Sequence, residues 1–467
     1  MEEVINYGFL SVLPPIVTIA LALVTKNVFI SLFIGVFMGY SIISDFNIIT
    51  SLNETLLSFV RVFESSSNTI IIMVTMLLGA LIYMIEQSGG VNGFVEFMTK
   101  KKGIIKSKKG ANIFTWLMGL LVFTSGTLST LVVGSVTRPL NDSLKVPREK
   151  AAFIVHTTST PVCVLIPLSG WGASMMGYLQ SAGIEGADAT QVLLQSIPLN
   201  FYCILAVLSV LFFALTGKDF GPMKKVEESS SSLVYEDITE TKFNEGERVS
   251  TPMNLLIPMV IMIGSIFTVL MITGKGNFTN GDGMLAILWG TFIGIVVAGI
   301  MYRSQNIFKV GEMVDIAFKG ASSMLSIASI LMFAFAMGSV VKQLGTGQYL
   351  ANTMSAFLIP SLLPAVIFII AAIISFATGT SMGTMAIVMV IAIPMAVTMG
   401  SNIPLVASAV FGGSIFGDHS SPISDTCIMS CSSTGCDIMS HVKTQMPYTL
   451  FFAAMTIAFY IVAGFVM

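Results

Sequence analysis

The chain is a string of apolar runs, most of them about as long as a lipid bilayer is thick. They fall at roughly 7–25, 27–44, 68–87, 151–180, 192–216, 253–273, 283–302, 321–343, 405–420 and 446–467. A helix needs about 20 residues to cross the hydrocarbon core. Inside lipid every backbone N–H and C=O must find an internal partner, so only helices and closed barrels span it. Runs this long and continuous read as helices. Of 467 residues, 54% are hydrophobic and 10% are charged, whereas a soluble domain carries about 25% charge. The expected fold is all-α and polytopic in a membrane.

Two more apolar stretches, 111–137 and 361–400, are interrupted in the middle. Short amphipathic pieces lie near 48–63, 91–99 and 307–319. Residues 217–250 are polar and rich in Ser and Glu, and read as a linker. The expected organisation is therefore 1–216, a linker at 217–250, and 251–467. A net charge of −2 gives no argument for a nucleic-acid partner. The five cysteines, Cys163, Cys203, Cys427, Cys431 and Cys436, lie in or beside apolar runs, which argues against a disulfide framework. Cys427, Cys431 and Cys436 lack a recognised zinc spacing and read as polarizable packing. Glu2 and Glu3 precede the first run, where a cleavable signal would need a basic start.

Charge orients the spans. Lys100, Lys101, Lys102, Lys106, Lys108 and Lys109 form the densest basic loop, which the positive-inside rule places in the cytoplasm. The next basic loop holds Arg138, Lys145, Arg148 and Lys150. Both loops stay inside if 111–137 is a re-entrant hairpin broken near Thr124 to Thr130. Residues 361–400 then form a second hairpin, broken at Thr378-Gly379-Thr380-Ser381-Met382-Gly383-Thr384, with both ends outside. The linker lies in the cytoplasm and both termini lie outside it. Each half becomes about five spans and one hairpin, in opposite orientations. That is an inverted-topology repeat, a common build of secondary transporters. His156-Thr157-Thr158-Ser159-Thr160-Pro161 in one half echoes Asp418-His419-Ser420-Ser421-Pro422 in the other.

The second of those segments carries the chemistry. Asp418 and Asp425 sit in a stretch that otherwise reads as membrane-embedded, where charge is expensive and usually functional. Pro422 and its small polar neighbours disfavour a continuous helix, and a broken helix frees backbone groups for an ion. The two Asp are seven apart, about two turns, so an uninterrupted helix would carry both on one face. Na⁺ prefers oxygen ligands, and a carboxylate in a dehydrated cavity holds a proton more tightly. One group that accepts either Na⁺ or H⁺ suffices for exchange. Thr127, Ser129, Thr130, Thr160, Thr380, Ser381, Thr384, Ser421, Ser424 and Thr426 are candidate oxygen ligands, or else helix-to-helix hydrogen bonds. His156 faces the same cavity in this reading, and His419, which titrates near neutrality when unperturbed, is a candidate pH sensor. Trp171 and Tyr178 either wall an organic substrate or pack. Asp142 near Arg138 and Arg148 reads as a loop ion pair.

Gly417 to Thr426, with Ser432-Ser433-Thr434-Gly435-Cys436-Asp437 and His441-Val442-Lys443-Thr444-Gln445-Met446-Pro447-Tyr448, resembles the signature of the NhaC family of sodium/proton antiporters. Leu13-Pro14-Pro15, Ser88-Gly89-Gly90-Val91, Arg138-Pro139-Leu140 and Pro167-Leu168-Ser169-Gly170-Trp171-Gly172 extend the resemblance over nearly the whole chain outside the linker. It implies a two-hairpin ion-transporter fold, an elevator-type motion, frequent dimers and a prokaryotic plasma membrane. Relatives in that family exchange small carboxylates such as malate for lactate. His156 stands where the family usually has Asp.

Two functions follow. One is Na⁺/H⁺ antiport through competition at Asp418 and Asp425, with no cofactor beyond the coupling ion. The other is Na⁺- or H⁺-coupled movement of a small carboxylate or amino acid, its carboxylate held by hairpin hydroxyls and half-helix N-termini. No catalytic triad, metal triad or nucleotide loop suggests an enzyme.

Overall fold

The computed structural model of the chain describes residues 7–25, 27–90, 93, 105, 107–123, 126–167, 170–184, 186–230, 251–277, 281–354 and 358–467. Most of the basic loop around Lys100, the piece at 91–99 save Gly93, hairpin residues Thr124 and Ser125, Glu185, and linker residues 231–250 lie outside these. Among the described residues every regular element longer than a turn is a helix. Among the described residues nine helices, or ten if a bent pair is one span, are long and apolar enough to cross a membrane.

The first half runs α1 (Leu13–Thr25), α2 (Val28–Ile43), α3 (Ile48–Val62), α4 (Ser66–Gln87), α5 (Lys108–Leu121), α6 (Gly126–Ser143), α7 (Arg148–Thr157), α8 (Thr160–Leu165), α9 (Gly170–Ser181), α10 (Gly186–Ser196), α11 (Phe201–Thr216) and α12 (Gly221–Ser229). The second runs α13 (Met253–Thr273), α14 (Gly283–Ser304), α15 (Val310–Ser323), α16 (Leu325–Gln343), α17 (Thr346–Met354), α18 (Leu363–Thr378), α19 (Ser381–Met399), α20 (Ile403–Ser420), α21 (Asp425–Thr434) and α22 (Ile438–Val466).

Local chemistry sets these boundaries. Asn27, Asn47, Ser65, Asn200, Asn402, Ser424 and Asp437 each accept a backbone N–H from the first turn of the helix that follows, satisfying donors a helix leaves orphaned. Gly379 ends α18 at φ +68°, a conformation that costs L side chains.

The halves interlock. α4 packs on α14 and α15, while α16 packs on α2 and α3. At the first crossing a Cβ on Gly79 would lie 2.5 Å from the Gly320 carbonyl oxygen, and one on Gly320 would lie 2.4 Å from that of Gly79. Only glycine at both positions lets the backbones meet, the small-residue packing typical of membrane helices. α13 and α14 pack with α4 in an apolar cluster of their own, built from Val74, Leu81, Met262, Ile266 and Ala286.

Two expectations change. The run 151–180 is not one smooth span. It is α7, α8 and α9, with α7–α8 and α9 bent by 53°. Pro161, in the first turn of α8, and Pro167, in the gap before α9, each lack the backbone donor a continuous helix would use. The run 192–216 takes in the end of α10 and all of α11, which Asn200 caps, and it lies within Gly186–Ser229, a single candidate span. Asp418 and Asp425 do not share a helix face, because α20 stops at Ser420 and α21 starts at Asp425. In the stretch 361–400 each arm is long and apolar enough to cross a membrane alone.

Candidate functional site

α20 carries Asp418 and His419 on its last turn. Ser421 to Ser424 break the chain direction, and Ser424 restarts it by capping α21. Pro422 removes a donor there, so the break costs one backbone hydrogen bond fewer. The consequence is a buried carboxylate next to a helix start. Asp418 is 2% exposed. Its Oδ1 accepts the Ser424 hydroxyl at 2.7 Å, and its Oδ2 accepts those of Ser381 and Thr426, each at 3.4 Å. Ser381 comes from the start of α19, so the second hairpin contributes directly. At the tip of that hairpin a Cβ on Gly379 would meet the Ile423 carbonyl oxygen at 3.0 Å. The tip therefore lies against the break itself.

The first hairpin meets the other break in the same manner. A Cβ on Gly119 would collide with the Thr158 side chain, and one on Gly126 would lie 3.1 Å from the Thr160 hydroxyl. Its second arm then continues onto α21: Thr127 donates to Asp425 Oδ2 at 3.4 Å, and Thr130 O accepts the Ser433 hydroxyl at 2.8 Å. Asp425 is exposed, and its Oδ1 accepts the backbone N–H of Thr426 at 2.9 Å. A carboxylate in the first turn of a helix is favoured by the helix dipole. The two Asp thus have different surroundings, one enclosed by hydroxyls and one at an exposed helix start.

All three histidines of the chain converge beside Asp418. His156 Nε2 lies 3.2 Å from the Thr426 hydroxyl, and its Nδ1 lies 3.1 Å from His441 Nε2. The His156 and His419 rings meet edge to face with centroids 4.5 Å apart. His419 bonds the Thr157 hydroxyl at 3.0 Å through Nε2 and the Tyr202 hydroxyl at 2.8 Å through Nδ1, while its backbone oxygen accepts from Gln445. With both ring nitrogens engaged and its ring buried, His419 is held as a structural bridge between α7, α11 and α20. Ser424 and Thr426 also share a hydroxyl contact at 2.9 Å.

The remaining candidates fall into two groups. Ser129, Thr160 and Ser421 are buried with hydroxyls that find no partner among the described residues, which leaves them free for a guest. Thr380 and Thr384 bond their own helix: Thr380 caps Gly383 N, and Thr384 donates to Thr380 O at 2.8 Å. Thr130 likewise donates to Thr127 O at 2.7 Å. Tyr178 is buried in the main core, which favours packing over contact with a substrate. His441, Gln445 and Thr157 entered the sequence reading only within quoted motifs and not as site residues, and Tyr202 did not enter it. His441 had one usable signal, as the third of only three histidines in a polar segment. Tyr202, inside an apolar run, had none.

One end of this assembly is held by charge. Asp142 bridges Arg148 at 3.1 Å and Arg138 at 3.8 Å, as its sequence position suggested, and Glu149 accepts the Ser440 hydroxyl at 2.8 Å. Lys150 pairs with Asp219, which also accepts the Tyr448 hydroxyl at 2.9 Å. Both charged side chains are nearly inaccessible, at 2% and 3% exposed.

Interlocked apolar helices around an enclosed carboxylate, reached by two helical hairpins and two broken spans, define a multi-pass membrane transporter. The chain belongs to the Na⁺/H⁺ antiporter family, whose model matches residues 162–465. An uncharacterized protein of Haemophilus influenzae is 30% identical over 97% of this chain and 91% of its own length. Shorter matches, each covering 14% of both chains, are to the malate-2H⁺/Na⁺-lactate antiporter of Bacillus subtilis at 34% identity and the arginine/ornithine antiporter ArcD of Halobacterium salinarum at 33%. In fold the chain is similar to the YdaH transporter of Alcanivorax borkumensis, with a TM-score of 0.60 and 13% identity over 88% of each chain. MtrF of Neisseria gonorrhoeae is similar at a TM-score of 0.51, with 16% identity over 88% of this chain and 84% of that one. The activity class is accordingly secondary active antiport.

Proposed function

We propose that the protein exchanges Na⁺ for H⁺ at Asp418. The observation that carries this is the enclosure of that carboxylate by the hydroxyls of Ser381, Ser424 and Thr426. Carboxylate and hydroxyl oxygens are the ligand set a hard cation takes. Two of the three contacts, at 3.4 Å, are long for an O–H···O bond, and that slack suits an inserted ion. A proton on Asp418 removes the charge that holds Na⁺, so the two cargoes exclude each other. Asp425, at the exposed start of α21, serves as the approach ligand with Thr127.

The order of elements supports an inverted repeat, with α1–α4 matching α13–α16, α5–α6 matching α18–α19, and the broken α7–α9 matching α20–α21. In this reading the hairpins and broken spans move as a carrier against α4, α13 and α14 in an elevator-type cycle. The basic loops are cytoplasmic, both termini are extracytoplasmic, and the membrane is a prokaryotic plasma membrane, where the protein works as a homodimer. The test is Na⁺-driven proton movement in proteoliposomes without organic solute. Proton movement that Asp418→Asn abolishes supports the reading, and silence from an active, folded protein refutes it.

A second reading is supported by one observation, the three imidazoles beside a single enclosed carboxylate. Imidazole N–H groups bind organic carboxylates, and the short matches are to antiporters of malate and lactate and of arginine and ornithine. Here Na⁺ or H⁺ at Asp418 drives a small carboxylate or amino acid bound against His156 and the unpartnered hydroxyls of Thr160 and Ser421.

A further inference from the structure

The cysteines that read as packing in the sequence lie against the histidine cluster. α21 places Cys427 one turn above its cap, α22 supplies His441, and α7 supplies His156. A ring nitrogen of each histidine and the Cys427 sulfur all lie within 4.8 Å of one another, and all three residues are buried. Cys431 is buried in the same packed cluster as Cys427, with Cys436 against it, so two further thiols lie near the first.

We propose that His156, His441 and Cys427 form a binding site for a soft or borderline d-block cation such as Zn²⁺ or Cd²⁺. Four features point to it. Thiol and imidazole are the ligands these ions select over Na⁺ or Ca²⁺. The 3.1 Å between His156 Nδ1 and His441 Nε2 is close to the ~3.3 Å separating two nitrogens on tetrahedral zinc. The Cys427 sulfur lies within 4.8 Å of a ring nitrogen of each histidine, so the three ligand atoms surround one point. Finally, His156 has the outer support that metal-bound histidines have, since its far nitrogen meets the Thr426 hydroxyl.

Binding is written with its protons. The Cys427 thiol releases one proton on becoming the thiolate ligand, and each imidazole binds through a nitrogen that carries none. The fourth position is left for water or for Cys431. This site is distinct in chemistry from the oxygen-lined Asp418, and its occupation does not depend on which solute the protein exchanges. Its three ligands belong to three helices, so a bound ion ties α7, α21 and α22 together.

The experiment titrates the purified, reduced full-length chain anaerobically with Cd²⁺ alone and follows the near-ultraviolet thiolate-to-metal absorption, with Zn²⁺ as competitor. The expected result is one Cd²⁺ per chain, displaced by Zn²⁺. Cys427→Ser should remove the absorption. His441→Gln, which leaves every sulfur in place, should weaken affinity by at least about tenfold, the low end of what losing only an outer partner costs. A folded wild type that shows no absorption overturns the proposal. So does an absorption of undiminished strength and affinity in both variants, which would put the ion on other sulfurs. Unfolding midpoints with and without Cd²⁺ give a second readout: the ion should raise that of the wild type and leave that of His441→Gln nearly unchanged at the same concentration.

Discussion

Ser424 donates its hydroxyl to Asp418 Oδ1 at 2.7 Å across the break between two helices, and the same oxygen accepts the backbone N–H of Cys427 at 3.4 Å. A single side chain therefore starts α21 and orients the carboxylate that ends α20. Helix capping and ion binding are coupled at this residue.

Ser424→Ala tests that coupling. It removes a helix cap and a hydrogen bond to a buried carboxylate, which together should cost about 1–3 kcal/mol of stability. The unfolding midpoint should fall, and half-saturating Na⁺ should rise in the same variant. A stability loss with unchanged Na⁺ dependence would show that Ser424 only caps.

Asp418→Asn and Asp425→Asn should differ. The first replaces the enclosed carboxylate and should lower Na⁺-driven proton movement at least about a hundredfold, or ~2.7 kcal/mol. The second alters an exposed group and should cost less than about tenfold. Equal losses would mean that both carboxylates hold the ion.

His156→Asp puts a carboxylate on α7 at the position whose side chain meets Thr426 and His441. If His156 lines the cavity, half-saturating Na⁺ should fall and the pH optimum should move. Transport assays across Na⁺ and pH check both, and no change in either removes His156 from the site.

Lys150→Met should destabilise by about 3–5 kcal/mol, because it strands Asp219 in a buried position without its partner. Adding Asp219→Leu should recover most of the loss. Unfolding of the two single variants and the double variant measures this, and a double variant no better than Lys150→Met would show that Tyr448 alone satisfies Asp219.

The membrane class, most spans and the burial of Asp418 were legible because hydrophobic length and charge inside an apolar run are one-dimensional signals. The break at Pro422 was legible for the same reason. Pairing of residues far apart was not. Nothing in the run Phe201 to Thr216 marks Tyr202 as a partner of His419, since a tyrosine in an apolar helix looks the same whether or not its hydroxyl is used. The expectation that Asp418 and Asp425 share a face failed because periodicity assumes an unbroken helix. The bend within 148–181 was missed because average hydropathy does not register a proline such as Pro167 in the gap before α9. The closeness of Cys427 to the histidines was not legible because zinc spacing rules count residues along one segment, and here the histidines arrive from other helices.

The sequence distances within the histidine cluster bear on how the chain is made. His156 is 270 residues from Thr426 and 285 from His441. A ribosome releases His156, Thr157 and their polar neighbours into the membrane long before their partners exist. Until the last segments emerge, α7 and α8 carry unpaired polar groups and, at Lys150, a charge. Truncation near the C-terminus is thus expected to trap a nascent chain with a destabilised middle, marked for quality-control proteolysis.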